Sequence, residues 1–223
     1  MTLVWLILIP FIGGLLCWQA ERFGDLAPRW IALATMLVEL AITLGLWRHG
    51  EYHLGNAGMN GELPRWTMEW RVTWIERFGI DVHLALDGLS LVMIALTGLL
   101  GVMAVLCSWR EIVHRVGFFH LNLLWILGGV VGVFLAIDLF LFFLFWEAML
   151  VPMYFLIALW GHSGSRGRTR IRAATKFFLY TQASGLLMLV AILGLVFAHH
   201  AHTGEYTFAY AALRETPLAE PTA

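Results

Sequence analysis

The chain alternates long apolar stretches with short polar ones, and within each stretch nearly every position is apolar. Six such stretches cover residues 3–19, 30–47, 88–109, 118–137, 139–160 and 173–199. Helices that are hydrophobic around most of their circumference belong in lipid. About 20 residues are enough to cross a hydrocarbon layer about 30 Å thick. The pattern predicts an all-α, polytopic membrane bundle of six transmembrane helices over 1–202. One connection is long, at about 49–87, and carries Trp66, Trp70 and Trp74. The run from Trp70 to Ile75 has strand or hairpin character, and Asp87 stands where it can cap the third helix. Residues 203–223, with Pro217 and Pro221, form a polar tail expected to be loosely ordered.

Composition agrees with this picture. The chain is 60% hydrophobic and 13% charged, with a mean hydropathy of +0.78; soluble domains carry about 25% charged residues. The first stretch has no positive leading region and no small-residue cleavage site, so it reads as a retained helix. Cys17 and Cys107 form no Cys-x-x-Cys pair, so zinc and iron–sulfur sites have no support. They read as packed free thiols.

Charge sets the orientation. Arg22, Arg29, Arg110, Arg115, Arg166, Arg168, Arg170, Arg172 and Lys176 fall on one side, nine in all, against five (Arg48, Arg65, Arg71, Arg77, Arg214) on the other. The positive-inside rule places the nine in the cytoplasm and the N-terminus outside. The basic loop 161–172 reads as a topology anchor near anionic headgroups. No extended basic face exists for nucleic acid, so the lipid bilayer is the surrounding partner. Gly98, Gly101, Gly128 and Gly132 mark places where helices approach closely. The Gly-Gly-Val-Val-Gly run at 128–132 lies within a span and is not a dinucleotide fingerprint.

The chemistry rests on polar residues inside the spans. Glu147 lies about 12 Å in from one end of its apolar run, where insertion of an acid costs about 2.5–3.5 kcal/mol. Ionisation there is costly without a counter-charge, so a carboxyl at that depth responds to whether a cation approaches. That is the property a proton relay needs; a neutral acid hydrogen-bonded to a neighbouring helix is the plainer alternative. Five residues on, Pro152 removes a backbone donor and kinks the helix. Lys176 is the only lysine. With Tyr180 and Ser184 at four-residue spacing, and Thr181 and Gln182 beside them, it makes a polar stripe. This stripe is either a proton relay between the cytoplasm and Glu147 or a snorkelling lysine with ordinary interhelical hydrogen bonds. Glu39, midway along the second span, reads as a neutral acid bonded to Thr35 or Thr43 on its own helix. Asp138 reads as a helix cap. His199, His200 and His202 cluster at one end and His120 near the other, which gives no haem pair and no assigned metal site.

Three segments carry a resemblance. Residues 143–157 read Phe-Leu-Phe-Trp-Glu-Ala-Met-Leu-Val-Pro-Met-Tyr-Phe-Leu-Ile. Residues 83–91 read His-Leu-Ala-Leu-Asp-Gly-Leu-Ser-Leu, and 174–185 read Ala-Thr-Lys-Phe-Phe-Leu-Tyr-Thr-Gln-Ala-Ser-Gly. They resemble the antiporter-like subunits of bacterial proton-pumping NADH–quinone oxidoreductase (respiratory complex I), which are related to the large subunits of Mrp-type cation/proton antiporters. The resemblance implies a proton-translocating membrane-arm subunit in the bacterial inner membrane, beside neighbouring antiporter-like subunits. It implies no cofactor in this chain, with NAD, FMN, iron–sulfur clusters and quinone on other subunits. The family glutamate of the fifth helix falls on Glu147; its lysine partner lies on a seventh helix. Family members have about fourteen spans with broken later helices, so this chain corresponds to their N-terminal portion. An Mrp-type antiporter subunit and a truncated, non-conducting bundle are the alternative expectations.

Overall fold

The computed structural model describes residues 1–50, 66–162 and 169–217; Arg65, Arg166, Arg168 and Pro221 lie outside them, as does much of the basic loop read as a topology anchor. Among the described residues, and besides two short 3-10 turns at Glu21–Phe23 and Glu76–Phe78, the elements are α1 (Thr2–Ala20), α2 (Leu26–His49), β1 (Met68–Ile75), β2 (Ile80–Leu86), α3 (Gly88–Glu111), α4 (Val116–Leu135), α5 (Leu139–Ala148), α6 (Leu150–Trp160), α7 (Thr169–Thr203) and α8 (Tyr210–Arg214). Among the described residues six spans are long and apolar enough to cross a membrane, with α5 and α6 together forming the fifth. The predicted six-helix membrane bundle is therefore the observed fold.

The bundle is uneven. Half of α4's apolar window is buried, whereas the fifth and sixth spans each bury 17%. α4 is the centre, and glycines explain how close its neighbours come. Gly128 faces Pro10 and Phe11 of α1, while Gly129 and Gly132 face Met149 and Phe145. A Cβ at Gly132 would lie 2.5 Å from the Phe145 ring, so the Gly-Gly-Val-Val-Gly run is a packing groove. In α3, Gly98 and Gly101 receive Leu40 and Met36 of α2 in the same way. Two tryptophan girdles flank the bundle. Trp5 and Trp47 stand at the end that carries the β-hairpin; Trp18, Trp30, Trp109 and Trp160 stand at the other. Trp30 and Trp109 meet edge-on at 5.2 Å, and the Trp160 indole donates to the His114 carbonyl at 3.0 Å. Such girdles suit the two water–lipid interfaces.

The hairpin β1–β2 is antiparallel, with Met68 opposite Leu86 and Arg71 opposite His83. Arg71 donates through Nε to Asp81 at 2.8 Å, and His83 pairs with Glu69 at 2.6 Å. Its turn ends on Gly79 at φ +63, a left-handed conformation that favours glycine. A side chain there would also run into the Tyr206 carbonyl. The inward face of β2 puts Leu84 and Leu86 on Leu3, Leu6 and Ile7 of α1, which caps the bundle.

The tail is not loose over 204–217. Two apolar anchors in an otherwise polar stretch, Phe208 and Leu213, are buried with Ile80, Ile192 and Val196. The Leu139 amide donates to the Phe208 carbonyl at 2.9 Å, and the Tyr210 amide to the Ile137 carbonyl at 3.1 Å. His199 reaches Thr216 at 2.8 Å.

Both predicted caps are present. Asp87 accepts from the Ser90 amide at 2.7 Å. Asp138, 1% exposed, accepts from the amides of Phe140 at 2.9 Å, Leu141 at 3.0 Å and Asp81 at 3.3 Å. Burial pushes its pKa above the usual Asp value, the three amides pull it back, and the Asp81 charge adds to the rise. A carboxyl whose folded pKa is raised contributes stability that is fully present below its unfolded pKa. That stability is lost as pH rises through the folded value. Asp138→Asn should flatten the fall in thermal stability across this window. A melting series against pH in detergent checks it, and a slope equal to the parent's contradicts it.

Candidate functional site

Pro152 is buried in α6 and cannot donate to the carbonyl of Ala148, four residues back. The hydrogen-bond ladder of the fifth span is interrupted there: α5 ends at Ala148 and α6 begins at Leu150, while Met149 between them keeps a right-handed helical backbone (φ −74, ψ −20), so the span is jointed and not severed. Glu147 is thus the last polar residue before a helix joint. Met149 itself packs on Gly129 of α4.

The Glu147 side chain is half-buried. It points neither into the centre of the bundle nor freely outward, but into the seam with α7. There its carboxyl lies directly against Gly185, where any side chain would collide with Oε1. Gly185 belongs to the buried face of α7, with Ala174, Ile192 and Val196. Thr181 and Gln182, one turn away, are half-buried on the same side; the Thr181 hydroxyl donates to the Phe177 carbonyl at 2.8 Å. A carboxyl so placed has a helix joint on one side and small and polar groups on the other.

Lys176 is not brought to it. Nine residues separate Lys176 from Gly185, which at 3.6 residues per turn sets them on opposite sides of α7 and about 13 Å apart along it. Lys176, Tyr180 and Ser184 are all exposed. The stripe is split: Lys176, Tyr180 and Ser184 face away from α5, whereas Thr181 and Gln182, which widen it, lie on the Glu147 side. The glycine opposite Glu147 was not singled out from the sequence; its signal was the small-residue run Ala-Ser-Gly at 183–185 on an otherwise bulky helix.

A family model described as NADH:quinone oxidoreductase/Mrp antiporter, transmembrane region, matches residues 136–214, which include Glu147, Lys176 and Gly185. NADH-quinone oxidoreductase subunit M of Escherichia coli strain K12 is 66% identical over 218 residues, covering 98% of this chain and 42% of that protein. The chain belongs to the NADH:quinone oxidoreductase/Mrp antiporter family. It spans about two-fifths of the length of the curated relatives it matches. Among solved structures of this family's fold, respiratory complex I from Thermus thermophilus with bound NADH superposes with a TM-score of 0.75 at 24% identity, over 98% of this chain and 40% of that one. The Mrp complex from Dietzia sp. DQ12-45-1b gives 0.73 at 21%, over 99% and 22%. These two likenesses speak for the fold alone and do not separate the branches of the family. The 66% identity to subunit M favours the NADH–quinone oxidoreductase branch.

Proposed function

We propose that the chain is part of the membrane arm of an NADH–quinone oxidoreductase and contributes to proton translocation coupled to electron transfer from NADH to quinone. Glu147 holds and releases the proton. The observation that carries this reading is the Glu147 carboxyl set in the α5–α7 seam against Gly185, beside the Met149 joint. The lipid-facing helices and the nine-to-five distribution of basic residues support a bacterial inner-membrane location with the N-terminus on the periplasmic side. On this reading its partners are the other membrane-arm subunits, antiporter-like neighbours among them. NAD, FMN, iron–sulfur clusters and quinone are bound elsewhere in the assembly. Lys176 lies on the far side of α7, and a relay through it runs along that face.

Inverted vesicles carrying the intact complex test the reading: NADH-driven acidification should depend on Glu147. Sodium-dependent proton flux without NADH or quinone would instead place the chain with Mrp-type antiporters. An inert scaffold predicts no effect of Glu147 in either assay.

A further inference from the structure

Glu39 takes no part in the site around Glu147. It stands midway along α2, between two apolar clusters. Towards the hairpin end lie Leu3, Leu6, Ile94 and Val131, with Ile42 and Leu46 packed on them; towards the other end lie Cys17, Met36, Val105 and Leu124. Its side chain is 0% exposed, and neither carboxyl oxygen has a hydrogen-bond partner among the described residues. The expected bonds to its own helix are not made. Thr43 spends its hydroxyl proton on the Glu39 main-chain carbonyl at 2.9 Å, and Thr35 on the Ile31 carbonyl at 2.8 Å.

No cation stands at its level among the described residues. α1 has no charged side chain within Thr2–Ala20. On α2 the nearest basic residues are Arg29 and Arg48, about 14–15 Å away along the axis in opposite directions. Arg29 is engaged with the Ile112 carbonyl at 2.9 Å. On α3 only Cys107 titrates between the Asp87 cap and Arg110. On α4 only His120 does so between Arg115 and Asp138, one turn from the helix start, where its Nδ1 meets the Val116 carbonyl at 2.8 Å. Nor can the carboxyl leave for the surface. Gly13 against Thr35, Gly98 against Leu40 and Gly101 against Met36 hold α1, α2 and α3 close around it.

An ionised carboxylate here would be an uncompensated charge. The neutral acid still has a donor and acceptors to satisfy, and buried polar groups in native proteins are nearly always paired. We propose that Glu39 is an internal proton site, a carboxylic acid kept protonated among α1, α2, α3 and α4. It is independent of Glu147 and does not rest on the proposed role of that residue.

Infrared spectroscopy of the intact complex tests this. A protonated-carboxyl C=O stretch should be present in the parent, absent in Glu39→Gln, and displaced to lower wavenumber after transfer to D2O. Loss of ionised-carboxylate bands in the variant instead, or an acid band that does not move in D2O, overturns it. NADH oxidation by the same preparations reports assembly. If Glu39→Gln does not assemble, Glu39→Asp takes its place: its acid band is displaced from the parent's if Glu39 carries a proton, and an unchanged acid band refutes the site.

Discussion

Glu147→Gln in the intact complex should lose most NADH-driven proton pumping, a fall on the order of a hundredfold, the usual range for removing a positioned proton-transfer group. Glutamine keeps the shape and the hydrogen-bonding capacity of the protonated acid but cannot give up a proton at the oxygen. The side chain lies in a seam with space already defined by Gly185, so the isosteric change should leave packing and assembly intact. Acidification of inverted vesicles, normalised to NADH oxidation, separates lost translocation from lost electron transfer. Near-normal pumping would remove Glu147 from the proton path. Glu147→Asp, which retains the proton but draws it back by one methylene, should fall between the two.

Gly185→Val should have the second-largest effect, although it leaves every acidic group in place. A Cβ at this position would overlap the Glu147 carboxyl, and the whole valine side chain leaves the carboxyl nowhere in the seam. Either α7 is pushed off α5, at about 1–3 kcal/mol for an overpacked contact, or Glu147 turns out towards lipid. In both cases pumping falls while the Glu147 side chain survives. Gly185→Ala should show the same change in milder form. Labelling a cysteine introduced at 147 with a lipid-soluble reagent reads the second outcome: reactivity that rises when valine occupies 185 supports the seam, and equal reactivity counts against it.

The spans were legible because lipid imposes one dominant requirement, an uninterrupted apolar length, and the six runs meet it. Pro152 likewise announced the joint at Met149, and Asp87 and Asp138 their caps, since each acts through backbone geometry within a few residues. What sequence did not reveal depends on rotation. The stripe Lys176–Tyr180–Ser184 is evident from spacing, but which side of α7 meets α5 is decided by Gly185 and Ala174 packing inward. Glu39 offers the opposite lesson. Thr35 and Thr43 stood at suitable spacing to satisfy it, yet a threonine on a helix readily donates back to the carbonyl four residues earlier, and both do. Residues 204–217 pack against expectation because two anchors, Phe208 and Leu213, outweigh the polar residues around them.

Asp138 ties the first turn of α5 to β2 and, through Leu139 and Tyr210, to the strand-like segment at 208–210. Eleven residues later the hydrogen-bond ladder of the same span is interrupted at Met149. α5 is therefore anchored at both ends, by the Asp138 bonds at the hairpin and by Phe145 and Met149 seated on Gly132 and Gly129 of α4. Glu147 stands between these anchorages, so the place of its carboxyl against Gly185 is set by how α5 packs on the hairpin and on α4.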